Sequence, residues 1–153
     1  MTEQTLLIGR GGPRLTTLRG GRLAFAGRDR LPKATSLAVE ALPSRPPARA
    51  LFVRDDDGIL ASAGRALWPE SALATHHLDA YVARGAAATL HSNAVLGVAE
   101  SVTPDLPGGP FDLVAILLEA RGDTLLGREQ IEQAHDRLAD GGILVAATDA
   151  THH

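Results

Sequence analysis

The pattern of apolar and polar positions divides the chain into two parts. Residues 14–27 (RLTTLRGGRLAFAG) alternate on both sides of Gly20-Gly21, which predicts two antiparallel strands joined by a two-residue turn. Residues 5–8 predict a short strand before them. Residues 34–42 predict a short helix that is opened by a Thr or Ser cap. The proline-rich stretch 43–49 (PSRPPAR) then predicts the internal boundary.

From residue 50 onwards, apolar runs of strand length alternate with stretches of helical periodicity. The predicted strands are 50–53, 71–75, 96–101, 111–118 and 143–148, and the predicted helices are 58–67, 79–93 and 127–142. We expect Tyr81 and Ala88 on the inner face of the second helix, and Gly141-Gly142 at the end of the third. Such alternation is typical of a parallel sheet with helices on both faces. The prediction is an α/β, doubly wound, mostly parallel Rossmann-like sheet: a basic hairpin and short helix at 1–49 packs on the main domain at 50–153.

Composition narrows the class of protein. The chain has 153 residues, enough for one domain with one sizeable core, and it has no cysteine, which excludes a disulfide scaffold, a thiolate metal site and a cysteine nucleophile. No apolar run approaches the length of a membrane span, and the N-terminus lacks the layout of a signal peptide. We therefore predict a cytoplasmic protein with no membrane partner.

Charge is distributed unevenly along the chain. The net charge is −3, yet residues 1–50 hold nine Lys or Arg against three acids, and the remainder holds six Arg against fifteen acids. A basic front end can mark a surface that faces RNA. The candidate RNA-binding residues are Arg10, Arg14, Arg19, Arg22, Arg28 and Arg30. The alternative is a solvated face whose arginines pair with the acidic body, and this is favoured because no aromatic residue interleaves the arginines as a stacking platform.

The loop that follows the first strand of the main domain, Arg54 to Gly58, is the first candidate site. Ligands of open α/β sheets bind at the carboxyl ends of the strands, but this loop retains one glycine and carries three carboxylates. Asp55, Asp56 and Asp57 could ligate Mg²⁺, although the spacing of a calcium loop is absent. The simpler interpretation is a solvated loop with Asp57 near a helix N-terminus, where negative charge is favourable.

A second candidate, His76-His77 with Asp79, also resembles a metal site only superficially. Adjacent residues of a strand point to opposite faces, so the two imidazoles do not easily share an ion. No Ser-His-Asp arrangement is identifiable. We therefore predict no metal site and no catalytic residue.

Four stretches together resemble class I S-adenosylmethionine-dependent methyltransferases over about two thirds of the chain. They are ALFVRDDDGILA, HLDAYVARGAAATLHSNAV, PGGPFDLVAILLEA and QAHDRLADGGILVAAT, which follow the family's order of strand, acid, glycine-rich loop and later strands. Asp79 and the helix-closing Asn93 belong to this likeness. The sequence is most similar to the N-terminal domain of tandem-domain ribosomal RNA guanine-N2 methyltransferases.

The departures from the family pattern concern its chemistry. The family's acid in the first strand falls on Phe52, and two of its loop glycines fall on Arg54 and Asp56 while Gly58 is kept. The acid for the cofactor ribose falls on His77, and the acid near the adenine falls on Ser101. The catalytic Asn-Pro-Pro-aromatic motif falls on residues 117–120 (LLEA).

The resemblance therefore implies a degenerate cofactor crevice. Its residues would be Arg54, Asp55, Asp56, Asp57, Gly58, His77, Asp79 and Ser101. The domain would bind no cofactor, S-adenosylmethionine would serve the parent protein, and the partners would be a C-terminal catalytic domain of the same chain and ribosomal RNA. The alternatives are a divergent active methyltransferase and a stand-alone RNA-binding module.

The resemblance also raises a question about the sheet edge, because the family sheet continues beyond the fifth strand. Either the N-terminal hairpin fills that edge or the chain is a fragment of a longer protein. We expect a fragment.

Overall fold

The computed structural model describes residues 2–9, 12–27, 30–119 and 124–149. The strands are β1 (Gln4–Ile8), β2 (Arg14–Leu18), β3 (Leu23–Gly27), β4 (Arg49–Val53), β5 (Ala72–His76), β6 (Ala99–Ser101), β7 (Phe111–Leu118) and β8 (Leu138–Thr148). The helices are α1 (Lys33–Ala41), α2 (Ile59–Leu67), α3 (Ala80–Ser92) and α4 (Thr124–Asp136). None of the helices in these ranges has the length and apolarity needed to cross a bilayer.

Five parallel strands form the main sheet, in the order β6-β5-β4-β7-β8. The order reverses at β4, since the chain first builds outwards through β5 and β6 and then returns to the other side of β4 with β7 and β8. The predicted doubly wound, mostly parallel sheet is therefore confirmed. Successive parallel strands need crossover connections, and α2, α3 and α4 provide three of them.

Apolar side chains on both faces of β4 and β7 explain why these strands are central. On one face, Phe52 and Leu113 join a core that also holds Leu60 of α2 and Phe25 of β3. On the other face, a smaller cluster centred on Val114 packs with α4. Strands that are buried on both faces have continuous apolar runs in their sequence, and β7 has this pattern (FDLVAILL).

The N-terminal strands form a separate sheet in the order β1-β3-β2. β2 and β3 are antiparallel, and the amide of Arg22 donates to the carbonyl of Arg19 at 3.3 Å around Gly20 and Gly21, which both have positive φ angles. The predicted hairpin and its two-residue turn are confirmed. The hairpin does not extend the main sheet, so the suggestion that it fills the edge is wrong; β1 pairs in parallel with β3 instead.

Besides the shared apolar core, one polar side chain ties β1 to the main domain. The Asn93 side chain at the end of α3 accepts from the amide of Leu7 at 2.5 Å and donates to its carbonyl at 2.9 Å. Asn93 also donates to the hydroxyl of Ser62 at 3.2 Å. The end of α3 therefore holds β1 against the main domain.

Three local predictions are wrong. Helix α4 ends at Asp136 rather than near residue 142, because Leu138 already pairs with Phe111 in β8 and the strand then bulges before Ile143 pairs with Leu113. No side chain of its own first turn caps α1; its Ala34 amide donates to the Asp149 carboxylate at 2.7 Å. The inner face of α3 is made by Ala83, Ala86, Thr89 and Leu90, whereas Tyr81 and Ala88 are exposed.

Candidate functional site

The carboxyl ends of the parallel strands bring the predicted crevice residues to one edge of the sheet. The loop from Arg54 to Gly58 connects β4 to α2, His77 and Asp79 connect β5 to α3, and Ser101 ends β6. Backbone hydrogen bonds join these segments: the Arg54 amide donates to His76 at 3.1 Å, and the His77 amide donates to Ser101 at 3.0 Å. The fold therefore brings these positions to the same edge of the sheet.

Asp55 is buried beneath this edge and occupies the N-terminus of α2. Its two carboxylate oxygens accept from the amides of Leu60 and Ala61, each at 2.9 Å. Only 1% of its surface is exposed. Burial raises the pKa of Asp55 to about 6, while the two amide hydrogen bonds and nearby His77 act in the opposite direction. The helix terminus that could receive an anion in this fold is thus filled by the chain's own carboxylate.

Gly58 lets α2 and α3 approach each other. Its φ angle is +69°, and a Cβ at this position would lie 2.6 Å from the backbone oxygen of Ala86 and 3.1 Å from Cβ of Thr89. Both the positive φ and the close approach require glycine. Gly58 therefore has a packing role here.

Arg54 lies where a family glycine is expected, and its backbone keeps a glycine-like conformation with a φ of +61°. Its Nε is buried and has no hydrogen-bond partner among the described residues. Arg54 lines a cleft of about 210 Å³ together with the start of α1, the end of β7 and Asp149. The backbone at this position therefore has the left-handed conformation that favours glycine, although the residue is an arginine.

Two buried histidines lie at the end of β5. Nδ1 of His76 is 2.9 Å from the hydroxyl of Ser101, and burial and then the neighbouring His77 lower the pKa of His76. His77 is 1% exposed; its Nδ1 lies 3.6 Å from the carboxylate of Asp56, and neither ring nitrogen has a hydrogen-bond partner within the described ranges. The sequence did not predict that both imidazoles are buried.

The remaining acids have distinct surroundings. Asp79 accepts from the Val82 amide at 2.8 Å and caps α3, as its position in the predicted helix indicates. Asp57 is exposed, yet partial burial and then the carboxylate of Asp56 raise its pKa. In the part of the chain that the structure describes, no three His, Cys, Asp or Glu residues form a group that could hold a metal ion.

The candidate RNA-binding arginines are not equivalent. Arg14 and Arg30 are exposed and Arg22 is half-buried, whereas Arg10 and Arg28 lie outside the described residues. The guanidinium of Arg19 donates to the carbonyls of Glu40 and Leu42 at 3.0 and 2.6 Å, at the C-terminus of α1. Arg19 therefore has a structural partner that the charge pattern did not predict.

Solved structures of methyltransferases share this fold. The ribosomal protein L11 methylase of Lactobacillus delbrueckii subsp. bulgaricus is 21% identical with a TM-score of 0.62, and the match covers 74% of this chain and 57% of that one. Precorrin-6y C5,15-methyltransferase of Geobacter metallireducens is 16% identical with a TM-score of 0.59, covering 73% and 60%. An SAH-bound Podospora anserina methyltransferase is 17% identical with a TM-score of 0.55, covering 73% and 50%.

These likenesses establish the fold, and the chain spans three fifths or less of the length of these three structures. The names of the similar structures refer to ribosomal protein L11 in one case and to precorrin-6y in another. The fold therefore does not identify a substrate. No protein-family model and no curated protein sequence matches the chain.

Proposed function

We propose that this chain is the N-terminal, non-catalytic methyltransferase-like domain of an S-adenosylmethionine-dependent ribosomal RNA guanine-N2 methyltransferase. It supports a catalytic domain of the same chain and helps to hold RNA, in the cytoplasm. The observation that carries the proposal is that the buried carboxylate of Asp55 accepts from the amides of Leu60 and Ala61 at the N-terminus of α2.

The residues present do not fit S-adenosylmethionine. The resemblance assigns an acid for the cofactor ribose to position 77, where this chain has a buried imidazole. It assigns a further acid to position 52, where a phenylalanine ring is fully buried against Gly64. The α2 amides that could bind an anionic group are already bonded to Asp55. We therefore derive no methyl transfer at this edge.

The end of β7 also lacks the groups that the chemistry of an amino-methylating enzyme needs. Leu117 and Leu118 are half-buried and pack against the two opposite cores, and Glu119 is exposed. Leucine side chains have no donor or acceptor with which to position an exocyclic amine. The fourth position of the motif, Ala120, lies outside the described residues.

RNA binding is assigned to the basic N-terminal sheet. Arg14 of β2 and Arg30 before α1 are exposed, and Arg22 is half-buried beside the hairpin turn. The contacts of Arg19 argue that it stabilises the hairpin rather than reaching a phosphate. The exposed arginines would bind phosphates in a salt-dependent manner.

Isothermal titration calorimetry with S-adenosylmethionine tests the central claim. We expect no binding tighter than about 100 μM, which corresponds to about −5.5 kcal/mol. Tighter binding would contradict the proposal and favour the second candidate, a divergent active methyltransferase. That candidate is supported by the retained Gly58, by the cleft beside Arg54 and by the fold shared with an SAH-bound methyltransferase.

A titration with single-stranded RNA tests the proposed RNA-binding role of the exposed arginines. Wild-type protein should bind single-stranded RNA at low salt, and an Arg14→Glu, Arg22→Glu variant should lose that binding. Arg45→Glu, Arg128→Glu is the matched control, because it reverses the same number of charges at two exposed arginines, in the linker before β4 and on α4, outside the N-terminal sheet. Equal losses in both variants would show a general charge effect and would remove the support for a basic RNA surface.

A further inference from the structure

The carboxyl edge of the sheet has the opposite charge to the proposed RNA surface. Four exposed carboxylates surround the ends of β4, β5 and β6, and we call them the acidic edge: Asp56, Asp57, Asp79 and Glu100. A nucleic acid would meet like charge here, since phosphates and carboxylates repel. Arg54 and Arg84 also line the clefts at this edge, but the four carboxylates outnumber them, so the edge favours a partner of positive charge.

Exposed apolar side chains lie beside these acids. Leu78 is 43% exposed, Val102 is 38% exposed and Tyr81, in the first turn of α3, is 80% exposed. Leu78 and Val102 lie just beyond the ends of β5 and β6, and each directly follows one member of the hydrogen-bonded pair His77 and Ser101. An apolar group rimmed by charge is the layout of an interaction surface.

A cavity connects the acidic and the apolar side chains of this edge. A cleft of about 410 Å³ lies between Asp56 and the exposed side of α3, and Tyr81, Val82, Arg84 and Gly85 line the rest of it. The ring of His77 is buried next to Asp56 and lacks hydrogen-bond partners among the described residues. His77 lies beside Asp56 but does not line the cleft, so the cleft itself is what joins Asp56 to Tyr81.

We propose that the acidic edge docks a polypeptide segment of a partner protein that carries arginine or lysine beside an apolar side chain. The apolar side chain packs on Leu78, Tyr81 and Val102, while the cationic group reaches Asp56 and the face of the Tyr81 ring. Cations bind aromatic faces as well as carboxylates, and interface tyrosines often carry much of the binding energy. The proposal rests on the proposed function in one respect, namely that no cofactor occupies this edge.

Fluorescence anisotropy with a short labelled peptide that alternates arginine with leucine tests the docking. We expect binding that weakens as salt is raised, because exposed charges are screened. Tyr81→Ala should weaken it by about tenfold or more, and Asp56→Asn should reduce its salt dependence. Leu96→Ala is the matched control, since Leu96 is 79% exposed but precedes β6 at the opposite end of that strand, and it should change the affinity less than about twofold.

The outcomes separate this inference from the proposed function. No peptide binding, or equal affinity in wild type and Tyr81→Ala, overturns the docking. Oligo-uridine that binds more tightly than the peptide and is lost with Tyr81→Ala also overturns it, in favour of RNA at this edge. If S-adenosylmethionine displaces the peptide, the proposal that this domain binds no cofactor is contradicted. The proposed docking of the peptide at the acidic edge is then still supported.

Discussion

The close contact between α2 and α3 makes Gly58→Ala a sharp test of the structure. Gly58 is the N-cap residue of α2 and has a φ of +69°, and its missing side chain leaves room for the backbone of α3. An added methyl group would lie 2.6 Å from the carbonyl oxygen of Ala86. Because that atom belongs to the helix backbone, the contact is relieved only if the two helices separate.

Two contributions determine the expected loss of stability. Placing an alanine in the left-handed region costs roughly 1–2 kcal/mol. Overpacking of a close contact typically costs a further ~1–3 kcal/mol. We expect Gly58→Ala to lower the free energy of unfolding by about 2–5 kcal/mol, which is a large fraction of the stability of a typical domain.

Gly97→Ala isolates the first contribution. Gly97 has a φ of +72°, but a Cβ there would meet nothing within 4 Å among the described residues. Urea unfolding should show a loss of about 1–2 kcal/mol for Gly97→Ala and a clearly larger loss for Gly58→Ala, with unchanged m-values. If the two variants lost equal stability, the packing argument at Gly58 would be refuted.

Two further predictions concern Asp55 and Arg19. Burial raises the pKa of Asp55 from 3.8 to about 6, so the folded protein binds this proton more tightly than the unfolded chain does. The resulting stabilisation of the folded state is complete below pH 4 and is lost as the pH rises through 6. In urea titrations, the free energy of unfolding of the wild type should therefore fall by up to about 3 kcal/mol between pH 4 and pH 7, relative to that of Asp55→Asn. If the difference between the two free energies did not change with pH, the raised pKa of Asp55 would be contradicted. Arg19→Ala removes two hydrogen bonds to the end of α1, so it should lower the free energy of unfolding by about 1.5–3 kcal/mol, whereas exposed Arg14→Ala should change it by less than ~0.5 kcal/mol in the same assay.

Much of the architecture was accessible from the sequence because its signals are local. Continuous apolar runs such as FDLVAILL predicted β7 with its observed bounds, and Gly20-Gly21 predicted the hairpin turn. The ends of helices were harder to predict where the same residues can also pair with a strand that is distant in the sequence. Leu138 has helical spacing after Ala134, but it pairs with Phe111 because strand pairing in the folded sheet outweighs the local preference.

The composition of the candidate site was also accessible, but its internal arrangement was not. The eight crevice residues could be grouped since the carboxyl ends of parallel strands share one edge. Which of the three aspartates is buried could not be read from RDDDG, because burial depends on the α2 amides and on His77 of another strand. The inner face of α3 was assigned wrongly for a related reason, as alanine and tyrosine at several positions fit either side of a helix.

The sequence by itself thus determined the succession of strands and helices along the chain, the hairpin turn, the charge asymmetry and the absence of cysteine chemistry. These properties depend on residues that are close along the chain or on composition alone. Only the tertiary structure decided that Asp55 closes the N-terminus of α2, that His77 is buried without hydrogen-bond partners in the described part of the chain, and that Arg19 bonds to α1. Each of these depends on contacts between segments that are separated in the chain and are brought together by the core.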